Sequence, residues 1–97
     1  TPRQRALLAS YLPDILHGEH ARLAKASAED FIATVSAMDF DGQCARADVR
    51  VARNLNAKGA FSDFDVHEDI AGQPCLYVCI SAVGAAAIYE IMRAGQP

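Results

Sequence analysis

Asp63, Asp65, His67 and Asp69 occupy every second position in the stretch FSDFDVHEDIAG, residues 61–72. In a β-strand, side chains alternate faces with period two, so all four would point the same way. A row of this kind suits one of three tasks: holding a cation, moving a proton, or meeting a basic partner. A calcium loop needs further oxygen ligands and a fixed glycine, which the DFD segments lack. Magnesium chemistry on phosphates requires a glycine-rich phosphate loop and a lysine, and neither accompanies the row. A hydrolytic acid/base pair needs its carboxylates across a cleft rather than along one strand. What remains is a negative stripe on a rigid element, able to dock Arg or Lys side chains and speed association without a cofactor. On an edge strand the same charges also discourage unwanted sheet pairing, and a solvated strand face needs no further purpose.

The other residues with chemical potential are three histidines and three cysteines. His17 and His20 in HGEH stand at i and i+3. A zinc-protease helix instead requires histidines four apart with a glutamate base between them. Two further ligands would have to come from His67, Cys44, Cys75 or Cys79. In a strand, Cys75 and Cys79 face the same way but lie roughly 13 Å apart, too far for a disulfide or a shared metal. They read as small buried apolar residues. The alternative to an interaction surface is therefore a small enzyme or metal-binding domain using His67, Asp65 and Cys79, with His17 and His20 as outer candidates. No motif in the chain names a reaction.

The elements that position these groups follow from periodicity. Residues 3–26 carry a helical stripe through Leu8, Leu12, Ile15 or Leu16, and Leu23, with a kink or a junction of two helices at Pro13. Ser27 is an N-cap for a second helix, with Glu29 and Asp30 in its first turn and Phe31, Ile32, Val35 and Met38 on one side, ending near Asp39. DFDG at 39–42 reads as a turn. Residues 43–55 alternate Ala45, Ala47, Val49 and Val51 against Cys44, Arg46, Asp48 and Arg50, which predicts a strand, although their alanines and arginines also suit a helix. Phe64, Val66 and Ile70 alternate with the acidic row. AGQP at 71–74 is a hairpin turn, and CLYVCIS at 75–81 is apolar on both faces, as in a central or covered strand. Ser81 caps a last helix to about Arg93, whose Ala85, Ala86 and Ala87 permit close approach to a sheet or a second copy.

The expected fold is a single small α+β domain over residues 1–97: N-terminal helices, a three-stranded antiparallel meander, and a C-terminal helix packed on one sheet face. A composition 52% apolar and 22% charged fits a globular domain rather than a disordered tail. The longest uncharged run, residues 70–89, is broken by Gly72, Pro74 and Gly84, which argues against a membrane span. A net charge of −3 argues against a general nucleic-acid binder. An odd cysteine number and the lack of a secretion signal point to a cytoplasmic protein with reduced thiols. A start at Thr1-Pro2 without methionine suggests a piece of a longer chain. The expected function is a non-enzymatic interaction or regulatory module, with no cofactor and no metal. It would present Asp63, Asp65, His67 and Asp69 to a basic protein partner. One version is an inhibitor placing acids where phosphates would sit, and a homodimer through the alanine-rich or kinked helix fits the same class.

Overall fold

The computed structural model of the chain describes residues 1–95, less the side chains of residues 18–21. Thr1 caps the first helix, α1 (Pro2–Ala9), by accepting the Gln4 amide at 3.2 Å, and Pro2 occupies a first-turn position where its missing donor costs nothing. The chain then breaks at Ser10 and Tyr11 and resumes as α2 (Leu12–Ile15), with Pro13 again in a first turn. Two helices thus meet beside Pro13, as its chemistry predicts. A 3-10 stretch, Gly18–Lys25, leads to α3 (Ala28–Val35), where the Ser27 hydroxyl accepts the Asp30 amide at 3.2 Å.

Two expectations fail in the next segment. Asp39–Gln43 is not a turn but the strand β1, and Arg46–Ala57 is not a strand but a helix, α4. The alternation of small residues over 43–55 concealed a helical stripe. Val51, Ala52 and Leu55 are buried together, with Arg46, Arg50 and Arg53 on the opposite side. The chain continues as β2 (Phe61–Glu68), β3 (Pro74–Ile80) and α5 (Ala82–Ala94). Ser81 caps α5 as expected, accepting the Gly84 amide at 3.1 Å.

The fold is α+β with a three-stranded antiparallel sheet in the order β1-β3-β2. β2 and β3 form the expected hairpin. The third strand comes from β1 on the far side of β3, with α4 between β1 and β2 in sequence, so the three strands do not meander consecutively. β3 is central, which its apolar composition predicts. Leu76, Val78 and Ile80 point into a core with Leu8, Ile15, Leu23, Phe31, Val35, Leu55, Ile88 and Met92 from the helical segments. α5 lies against β3 and contacts α1 and α3; Ala85 is buried and Ala86 and Ala87 are half-buried.

A bulge at Ser62 shifts the β2 register, so that Phe61 opposes Ile80 while Asp63 opposes Cys79. Without that extra residue Phe61 would share the side of Asp63 and Asp65 and face outward. With it, Phe61 is buried and stacks on Phe64, ring centroids 5.7 Å apart and planes 10° from parallel. Ile70, expected to join Phe64 and Val66 on the inner face, lies instead at the hairpin tip and is fully exposed.

Candidate functional site: the open sheet face

The helices cover the inner side of the sheet. The outer side is built in three rows by the strand register: Asp39, Cys79 and Asp63; Asp41, Tyr77 and Asp65; Gln43, Cys75 and His67. Adjacent strands lie about 4.8 Å apart, and residues two apart along a strand are separated by roughly 6.7 Å. Four carboxylates thus stand near the corners of a rectangle of about 10 by 7 Å, with Tyr77 and Cys79 between them. All four aspartates are exposed, Tyr77 and Cys79 are half-buried, and Cys75 is buried. No lysine or arginine occupies any position in these rows.

Hydrogen bonds within the face are sparse. The Tyr77 hydroxyl donates to Asp39 Oδ2 at 3.4 Å and lies 3.4 Å from Cys79 Sγ. The Tyr77 phenol is pushed up to about 12, first by its hydrogen bond with the Cys79 thiol and by charge on that thiol, then by lost solvation and by Asp39. It is therefore a proton donor held on the face, and not a group that exchanges its proton near neutrality. His67 Nε2 approaches Asp41 Oδ1 at 3.8 Å across the Cys75 position. Burial pushes the Cys75 thiol up, with Asp69 and Asp41 adding to the effect, so it is a poor nucleophile where it sits.

The sequence placed Asp63, Asp65 and His67 correctly on one face. Asp69 stands at the end of the same face, beside Gln43, but its carboxylate is taken up by the hairpin turn. It follows the end of β2, and its Oδ1 accepts the amides of Ala71 at 3.0 Å and Gln73 at 2.9 Å, while its Oδ2 accepts Gln43 Nε2 at 2.7 Å. Asp69 closes the hairpin and ties its tip to β1, with Gly72 supplying the positive φ the loop requires. These bonds, the Gln73 amide first and the Gln43 side chain next, hold its carboxyl below the usual range. A carboxyl with a lowered folded pKa stabilises the fold above its unfolded value near pH 3.9, and that contribution is lost as pH falls through the folded value. Urea midpoints at neutral and acid pH should therefore show Asp69→Asn less stable than the parent at neutrality. The gap should narrow below about pH 4, and an equal gap at both pH values would deny the turn carboxylate this role.

Sequence reasoning missed Asp39, Asp41 and Tyr77. The signal was the repeated DFD of 39–41 and 63–65, whose outer aspartates flank an inward phenylalanine in both strands. The alternative triad of His67, Asp65 and Cys79 is not gathered: Cys75 opposes His67, and Cys79 lies four residues farther along β3, roughly 13 Å away. Among the described residues no group of three His, Cys, Asp or Glu side chains is arranged to hold a metal ion. His17 is exposed beside α2, and the side chain of His20 lies outside the described residues. No family model, curated protein or solved structure matches the chain. The sheet face itself is thus the basis for a functional reading. Among the described residues, no helix is long and apolar enough to cross a membrane.

Proposed function

We propose that this protein is a non-enzymatic interaction module whose open sheet face docks a basic segment of a protein partner. The observation that carries the reading is the rectangle of Asp39, Asp41, Asp63 and Asp65 around Tyr77, on a face whose rows hold no lysine or arginine. Carboxylates set on paired strands lose little freedom on binding, so they attract Arg or Lys side chains without a large ordering cost. The Tyr77 ring between them offers a guanidinium a surface to stack on while flanking carboxylates accept its N–H donors. Such a face raises association rates and favours cationic partners, and it needs no cofactor. An inhibitor that sets these acids where a nucleic-acid-binding partner expects phosphates is a specific form of the same function.

The test is the association rate of an arginine-rich peptide with the parent chain and with a variant carrying Asp39→Asn, Asp41→Asn, Asp63→Asn and Asp65→Asn. Each change is exposed and expected to alter stability by about 0.5 kcal/mol or less, so far-ultraviolet circular dichroism should be preserved. Association should slow by roughly tenfold or more at low salt, with the two chains converging as salt screens the face. Equal rates with equal salt slopes would leave the carboxylates as a solvated surface.

A further inference from the structure

A second patch, built on α4 and the start of α1, carries the opposite charge. On α4, Arg46, Arg50 and Arg53 stand at i, i+4 and i+7, directly opposite the buried Val51, Ala52 and Leu55. Arg46 and Arg53 line a cleft with Val66, Glu68 and Pro74 at the hairpin end of the sheet, and none of the three arginines belongs to the acidic rows. Arg3 of α1 lines a 510 Å³ groove together with Arg46 and Arg50. Arg46 makes one long contact, Nη2 to the Gly72 carbonyl at 3.4 Å. Among the described residues, no carboxylate is in ion-pair contact with Arg3, Arg46, Arg50 or Arg53.

The two faces also match in spacing. Residues four apart on a helix rise about 6.0 Å, which sets the step from Arg46 to Arg50. Residues two apart on a strand advance roughly 6.7 Å, which sets the steps from Asp39 to Asp41 and from Asp63 to Asp65. A helix laid along a strand pair therefore brings successive arginines opposite successive aspartates. A net charge of −3 on each copy opposes approach at long range. At physiological salt the screening length is about 8 Å, so contacts between facing groups outweigh that distant repulsion.

We infer that the basic partner of the sheet face is a second copy of this chain, whose α1–α4 groove and arginine stripe dock on the acidic rectangle. The inference rests on the reading of the sheet face as a docking surface and adds the identity of the occupant. Because the acidic and basic patches are different surfaces of the chain, the contact is head-to-tail. It leaves one acidic and one basic face open at the ends of every assembly, and growth continues unless the rotation closes a ring. The chain therefore forms concentration-dependent oligomers rather than a symmetric dimer.

Sedimentation of the parent, of Arg46→Gln/Arg50→Gln, and of Asp63→Asn/Asp65→Asn tests this, each first checked for parental circular dichroism. The parent's average mass should rise with concentration at physiological salt, and its apparent dissociation constant should weaken at least tenfold at about 1 M salt. Each variant alone should stay a single chain. Mixed in equal amounts, they should form a one-to-one dimer and nothing larger, because the mixture holds one intact acidic and one intact basic face per pair. A parent that remains a single chain at every concentration and salt overturns the inference, as does assembly that survives in either variant. Duplex DNA that binds the parent and is lost with Arg46→Gln/Arg50→Gln, without self-association, also overturns it by assigning the arginines to phosphates. An arginine-rich peptide separates the two levels of the argument. If it binds the parent but not the aspartate variant while the parent stays single, self-docking alone falls. If it binds neither, the docking face falls too.

Discussion

Replacing Gly84 with alanine is expected to cost about 3 kcal/mol or more, although alanine is the better helix former. Gly84 lies in the first turn of α5, where intrinsic propensity favours alanine by roughly 1 kcal/mol. Space decides otherwise. A Cβ at this position would land on the carbonyl oxygen of Ala60 and lie 3.1 Å from Ile80 Cγ2. The Ala60 peptide cannot easily yield: its amide donates to the Leu55 carbonyl at 3.0 Å, and its own carbonyl accepts the Ser81 amide at 3.0 Å. The Ser81 hydroxyl, which also caps α5, holds the Gly59 carbonyl next to it. One rigid junction thus joins the end of α4, the start of β2 and the start of α5. A methyl group there has to move either α5 off β3 or β2 out of register. Denaturant midpoints for Gly84→Ala and for Gly95→Ala check this. The nearest heavy atoms to a Cβ at Gly95 would be 3.7 Å away, so that control should stay within about 0.5 kcal/mol of the parent. Equal midpoints for Gly84→Ala and the parent would mean that the junction is softer than its hydrogen bonds imply.

The same junction explains why part of this fold was legible in the sequence and part was not. Local chemistry was a sound guide wherever one residue satisfied its neighbours' backbone groups. Ser27 and Ser81 announced helix starts, and Pro13 announced the boundary between α1 and α2. The alternation around Asp63 and Asp65 announced a strand. Tertiary choices were less visible. Asp39–Gln43 has turn composition, yet it is extended because both edges of β3 need a hydrogen-bonded neighbour and β2 supplies only one. Alanine and valine at 45, 47, 49 and 51 fit period two and period 3.6 about equally well over so short a window. The helical stripe becomes evident only when Val51, Ala52 and Leu55 are seen to be buried together. For the site, alternation alone found the β2 half. The β1 half required knowing that residues 39–43 and 61–68 flank the same strand, a pairing no local pattern encodes. Asp69 kept the right parity but passed the end of the strand, where the loop's amides claimed its carboxylate.

Truncation of Phe31 to alanine should be the most damaging single change in the helical layer, at roughly 3 to 5 kcal/mol. The Phe31 side chain is fully buried, and its ring meets Tyr89 of α5 with centroids 5.3 Å apart and planes inclined at 57°. Removing it costs the transfer free energy of the ring, a cavity between α3 and α5, and a tilted aromatic pair worth about 1 kcal/mol within that total. A domain of this size has a stability of roughly 5 to 15 kcal/mol, so the variant is left with a narrow margin. Each kcal/mol corresponds to about 4 to 8 °C for chains of this length, and the melting temperature should fall by roughly 15 °C or more. Phe31→Leu keeps most of the volume and should cost markedly less, leaving a folded chain for binding measurements. That second variant links packing to function. Phe31 lies in the core on the inner side of the sheet, whereas the aspartates occupy the outer side. Folded Phe31→Leu should therefore bind an arginine-rich peptide at the parental rate with the parental salt slope. If it slowed association as much as removal of the four aspartates, the effect of those aspartates would reflect loosened packing. Unchanged binding alongside a lowered melting temperature would assign stability to the helical layer and recognition to the open face.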